Sequence, residues 1–185
     1  MSTRRLRTAF GYLNRFMIAL WRLGLGGWVN FWPAVGGRVM VLVNIGRRTG
    51  LERRTPLNYA SIGGDIYCVS GFGRVSDWYK NILENPHVEI WLPDGWWAGV
   101  VTDVSDSESR LTVLRQVLIA SGFASYLAGI RPRSISDADL AQATADYRVL
   151  RIERTQSLAA KSGPGDLSWA WPIVTLVLLG VLLVR

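Results

Sequence analysis

Residues 39–70 read VMVLVNIGRRTGLERRTPLNYASIGGDIYCVS. The run from Val39 to Asn44 is apolar almost without interruption and lies between Gly37 and Gly46, which marks a short strand buried on both faces. Thr55–Ala60 and Asp65–Ser70 form the next two strands, and Gly63-Gly64 between them has the chemistry of a tight hairpin turn. Further along, Val88–Leu92 and Trp96–Val101 flank Pro93-Asp94-Gly95 and predict a second hairpin. Tyr147–Glu153 alternates apolar with charged residues, as a half-exposed strand does. Helices are expected between these strands, at 77–85, from 106 to about 122, and at 137–146. The fold class this implies is α+β: a small closed barrel of about six mainly antiparallel strands with interleaved helices.

Charge divides the chain unevenly. Of 185 residues, 21 are basic and 14 acidic, for a net charge of +7. Residues 1–54 hold ten arginines and one acid, Glu52, so the whole positive excess sits in the first third. Arginine there can fork onto phosphates or carboxylates, or hold the chain against an anionic membrane. Nucleic acid is disfavoured, because these arginines alternate with residues that want lipid or core instead of lining an aromatic groove. One cysteine, Cys68, excludes an internal disulfide framework. With a single histidine as well, His87, there is no ready metal site and no Ser-His-Asp triad. His87 follows Pro86 and reads as a surface residue.

The two ends differ from the middle. Leu6, Phe10, Leu13, Met17 and Leu20 recur on one helical face, with Arg15 and Arg22 on another and Arg4, Arg5 and Arg7 at the start. Such a basic amphipathic helix meets a membrane surface or packs on the core; interrupted by arginines, it is not a signal peptide. At the other end Leu167–Val184 gives 18 residues with no charge. As a helix they would reach about 27 Å, against a hydrocarbon core of roughly 30 Å, with Trp169 and Trp171 placed as an interfacial belt. The expectation is therefore a C-terminal transmembrane anchor. The domain divisions expected are 1–36 for the amphipathic segment, 37–155 for the barrel, 156–166 for a Gly/Pro linker and 167–185 for the anchor.

Chemistry concentrates between the strands. Arg47, Arg48, Arg53 and Arg54 fall within eight residues, flanked by Gly46 and Gly50. That pattern suits an anion cradle, although a solvated hairpin turn carries the same residues. It is neither a Walker loop nor a dinucleotide fingerprint. Ser70-Gly71-Phe72-Gly73 keeps backbone amides open beside an aromatic ring, which suits the edge of a flat ligand.

In order and with natural spacing, GRRTG-LERRTPL, SGFG, DWYKNILENPHVEI and YRVLRIER resemble the deazaflavin-dependent nitroreductase and quinone reductase family over roughly residues 10–154. The resemblance implies a split β-barrel and hydride transfer from reduced coenzyme F420 to a lipophilic acceptor such as a quinone, nitroaromatic or activated alkene. It places the phosphate contacts on Arg47, Arg48 and Arg53 with Thr49 nearby, the ring contacts on Thr55, Pro56 and Leu57, and the ring edge on Ser70, Gly71, Phe72 and Gly73. Trp78 and Asn81 would close the pocket. Many members carry Ser-Lys-Gly-Gly where this chain has Ser70-Gly71-Phe72-Gly73. Hydride transfer needs geometry more than a protein nucleophile; Tyr79, Tyr126 and Ser70 are the candidate proton donors or substrate contacts. The alternatives are an FMN- or haem-binding barrel of the same class, or a non-enzymatic protein that reads anionic lipid. The partners expected are a small-molecule hydride acceptor and membrane lipid. The place expected is the cytoplasmic face of the cell membrane, where a soluble coenzyme can reach the domain.

Overall fold

The computed structural model describes residues 3–159 and 163–183, with side chains from residue 11 onward in the first helix. Six strands carry the fold: β1 (Val39–Ile45), β2 (Glu52–Ile62), β3 (Asp65–Ser70), β4 (His87–Leu92), β5 (Gly95–Asp103) and β6 (Arg148–Ser157). All pair antiparallel and close into a barrel in the order β1-β2-β3-β6-β5-β4. Closure gives every strand two neighbours and leaves no open edge. The β2–β3 hairpin turns at Gly63 and Gly64, both at positive φ (61° and 94°), where a side chain would be strained.

The apolar run of β1 is explained by burial on two sides. Met40 and Leu42 point into the barrel with Ile66, Cys68, Ile90, Leu150 and Ile152. Val41 and Val43 point outward and are covered by Trp91 and by Trp21, which is 2% exposed. Trp21 belongs to α1 (Thr3–Arg22), so the end of the amphipathic helix is part of the core. Its other residues divide: Leu13 is exposed, Met17 and Leu20 are half-buried or nearly so, and the side chains of Leu6, Phe10, Arg4, Arg5 and Arg7 lie outside the described residues. Two short helices, α2 (Gly26–Val29) and α3 (Pro33–Gly36), lead into β1.

A second core forms outside the barrel. There α5 (Arg110–Ala120) buries Val113, Leu114, Val117 and Leu118 against Ala60 of β2 and Val149 of β6, together with Leu140 of α7 (Asp137–Ala143). Between β3 and β4 lies α4 (Asp77–Glu84), and α6 (Phe123–Leu127) follows α5 directly.

The C-terminal expectation requires correction. Among the described residues of Leu167–Leu183, Ala170–Leu183 forms a helix, α8, of 14 residues. It reaches about 21 Å, well short of the roughly 30 Å of a hydrocarbon core. Among the described residues no helix is long and apolar enough to cross a membrane; Val184 lies outside them. The chain ahead of α8 is docked on α1. Asp166 accepts a bidentate pair from Arg22 (2.8 and 3.0 Å), Gly165 N donates to Trp21 O (2.9 Å), and Trp171 Nε1 donates to Leu23 O (2.9 Å). From Trp171 to Leu183 the helix itself is exposed on all sides.

Candidate functional site

The strand ladder sorts the four arginines. Because β1 pairs Asn44 with Arg53 and Val43 with Arg54, both arginines lie within β2, not in the turn, and they point to opposite faces. Arg54 goes outward, stacking at 5.1 Å over the Trp91 ring and pairing with Glu52. Arg53 turns back to the β1–β2 connection, where its Nη2 donates to Thr49 Oγ1 (3.3 Å).

Arg47 is committed elsewhere. Its guanidinium donates to Asn81 Oδ1 (2.8 Å) and to Asp77 Oδ1 (2.9 Å), and its backbone N–H also donates to Asn81 Oδ1 (3.2 Å). These bonds pin the turn to α4, and the Arg47 guanidinium holds the Asp77 carboxyl below the usual carboxylate range. Asn44 reinforces the junction by donating to Trp78 O (3.0 Å). Arg48, by contrast, is exposed and forms no hydrogen bond or ion pair among the described residues. Two guanidiniums, Arg48 and Arg53, thus stand without a carboxylate partner at one end of a cleft.

The cleft has a volume of about 1360 Å³. Its basic end is the Gly46–Thr49 turn with Arg53. One wall is β2 from Thr55 to Asn58, and Trp78 and Asn81 of α4 stand beside it. Ser70, Gly71 and Phe72 line it at the end of β3. The far end is built by Val117, Leu118 and Ser121 of α5, by Ala124, Ser125 and Ala128 just after, and by Tyr147; Gly11, Asn14 and Ile18 of α1 also face it. The structure therefore brings Arg47, Arg48, Thr49, Arg53, Thr55, Pro56, Leu57, Ser70, Gly71, Phe72, Trp78 and Asn81 to one cleft. Gly73 stands apart from this set: buried at φ 58°, it packs on the carbonyl of Asp146.

The three candidate proton donors are placed differently. The Ser70 hydroxyl is buried and donates to Gly73 O (2.9 Å) or Ser76 Oγ (3.0 Å). The Tyr79 hydroxyl donates to Asp103 Oδ2, away from the cleft, and burial followed by that carboxylate pushes its pKa up to about 12. Burial works against ionisation of Asp103, but bonds from Ser105 and Tyr79 outweigh it and hold the carboxyl below its ordinary value. Tyr126 is 53% exposed on α6, next to the lining residue Ser125. The sole cysteine, Cys68, is inside the barrel, and burial pushes its thiol up to about 12.

Sequence reasoning missed the α1, α5 and α6 wall and Tyr147. Gly11, Asn14 and Ile18 do recur at helical spacing beside the apolar stripe, and the small Gly11 and polar Asn14 on that strip are the signal that marks a cleft-facing side. Tyr147 opens the YRVLRIER motif, but its place beside the cleft follows only from the pairing of β3 with β6.

A family model described as F420H(2)-dependent quinone reductase matches residues 15–135. Among solved structures, the chain resembles a conserved hypothetical protein of Mycobacterium tuberculosis at 21% identity and a TM-score of 0.50, over 71% of this chain and 79% of that one. It also matches an F420-H2 dependent reductase at 19% identity and a TM-score of 0.45, over 63% and 94%. A heme storage protein of Vibrio cholerae aligns at 15% identity and a TM-score of 0.47, over 66% and 85%.

Proposed function

The chain belongs to the F420H(2)-dependent quinone reductase family, an oxidoreductase family whose cofactor is coenzyme F420, and from that premise we propose that it delivers hydride to a lipophilic acceptor at a lipid surface. The acceptor class is a quinone, with nitroaromatics and activated alkenes as alternatives. The family's coenzyme takes the place of the FMN or haem alternative.

The observation that carries this reading is the two-ended cleft. Arg48 and Arg53 present guanidiniums without a carboxylate partner at one end, fitted to the phosphodiester and carboxylates of the coenzyme tail. Pro56, Leu57 and Trp78 offer an apolar slot for a planar ring. At the other end Val117, Leu118, Ala124 and Ala128 form a chamber suited to an apolar acceptor. When bound, the coenzyme supplies the hydride. The chain's contribution is to hold donor and acceptor in contact and to exclude water from the slot between them. Arg47 acts at one remove, by fixing the turn that carries Arg48 to α4.

Support for a lipid surface comes from the exposed apolar groups. Trp28, Phe31, Trp32 and Val35 are each more than 60% exposed, and α8 is apolar on every face. An uncharged helix of this kind, with no polar face, is stable only when covered, and lipid is the cover this reading gives it. Such contact would place the protein on the cytoplasmic face of the cell membrane.

The test follows oxidation of the reduced coenzyme spectrophotometrically with menaquinone, a nitroaromatic and an unsaturated lactone in turn. Protein-dependent oxidation with menaquinone is expected to be the fastest. No acceleration over the protein-free rate with any of the three would contradict the proposal.

A further inference from the structure

The last pair of the β3–β6 ladder is Ser70 with Arg148. The register therefore sets the next two residues, Gly71 and Tyr147, against each other just past the end of the sheet. A Cβ built on Gly71 would stand 3.7 Å from Tyr147 Cζ and 3.9 Å from its hydroxyl oxygen. The phenol end of Tyr147 thus lies over a backbone with no side chain on it, and both residues line the cleft.

Tyr147 is held in place from behind. Its ring packs on the cluster formed by α5, β2 and β6. Its N–H donates to Thr144 O (3.0 Å), and its carbonyl accepts from Arg110 Nη2 (3.4 Å). Its hydroxyl, however, makes no hydrogen bond among the described residues. The other hydroxyls of that end are spent: Ser121 donates to Val117 O (2.7 Å) and Ser125 to Gly122 O (2.9 Å). A rigid, half-buried phenol facing an apolar chamber is a donor awaiting a ligand acceptor. Burial raises the Tyr147 pKa, so it keeps its proton throughout the neutral range.

We propose that the Tyr147 hydroxyl donates the hydrogen bond that holds a carbonyl oxygen of the quinone acceptor in the cleft, and that Gly71 keeps this hydroxyl open. The inference rests on the reading of the cleft as a reductase site and adds to it the residue that distinguishes an oxygen-bearing acceptor from a plain hydrocarbon. Binding, not proton transfer, is the role assigned.

The experiment uses the full chain and calorimetric titration without reduced coenzyme, so that no turnover occurs. Menadione and 2-methylnaphthalene, which share a ring system and differ in the two carbonyls, are the probes. Tyr147→Phe is expected to weaken menadione binding about fivefold to tenfold, the usual worth of one hydrogen bond. It should leave 2-methylnaphthalene and oxidised F420 within about twofold. Gly71 has no positive φ, so a side chain there meets no backbone strain; Gly71→Leu should cover the hydroxyl and weaken menadione with the phenol still present. Equal menadione affinity in wild type and Tyr147→Phe overturns the proposal, as does an equal loss for both probes, which would mark a packing role. Unchanged menadione affinity in Gly71→Leu overturns the part given to Gly71. Wild-type protein that binds menadione but not F420 would instead contradict the cofactor reading, leaving the Tyr147 comparison intact.

Discussion

Arg47 and Arg48 are neighbours in sequence, yet the fold gives them opposite duties. Arg47→Ala removes bonds to Asn81 and Asp77, and Asp77 is highly exposed, so a loss near the surface-pair range of about 1 kcal/mol is expected. In a chain of this size that lowers the melting temperature by about 2–4 °C. The Asp77 carboxyl is depressed in the folded state. Its stabilisation is therefore full above the unfolded value of about 3.9 and lost as pH falls through the lower folded value, and Arg47→Ala should remove that acid dependence. Tyr79 has the opposite sign. Its folded pKa is about 12, against an unfolded value of about 10, so stability is retained up to about pH 10 and lost as pH rises from there to about 12. Denaturant midpoints across this range should fall less steeply for Tyr79→Phe than for wild type, and identical slopes would show that another group titrates.

The α5–α6 corner shows how one backbone position supports a wall of the cleft. Gly122 joins the two helices at φ 55°, and a Cβ there would collide with Val35 O and, at 2.5 Å, with Gly37 N. Gly122→Ala should cost about 3 kcal/mol through left-handed strain and overpacking. The melting temperature should drop by about 6–12 °C, and a loss within 1 °C would refute the packing described. The stop near Gly122 was legible in the sequence, but α6 was not, because it is a five-residue helix with no capping side chain. The barrel strands were legible, since β1 is buried on both faces and Gly63-Gly64 punctuates the chain where β2 meets β3. β2 begins three residues before the expected Thr55 because Glu52 and the two arginines pair with Ile45, Asn44 and Val43, an effect of the partner strand and not of their own propensity. The basic turn and the Ser70–Phe72 segment were readable for the same local reason. Tyr147 was legible as the start of a strand, but its arrival at the cleft depends on a long-range pairing with β3.

Across the whole molecule, the arginine-rich first third serves two surfaces. Arg22 fastens the segment before α8, and Arg48 and Arg53 face the cleft. The exposed aromatics of α2 and of the residues joining it to α3, with Val35 and the apolar α8, make a surface larger than a soluble monomer ordinarily leaves uncovered. In a flotation assay the protein should rise with vesicles containing anionic phospholipid, and Trp28→Ser combined with Trp32→Ser should reduce the bound fraction severalfold. Equal flotation of the two proteins would show that this surface does not contact lipid. Whether this cleft is the deazaflavin site is decided by titrating oxidised coenzyme F420 into wild-type protein and into the double variant Arg48→Ala/Arg53→Ala. Each guanidinium–phosphate contact is worth about 1.5–3 kcal/mol, so saturable wild-type binding is expected, weakened at least tenfold in the variant; equal affinity for the two proteins would contradict a deazaflavin site here.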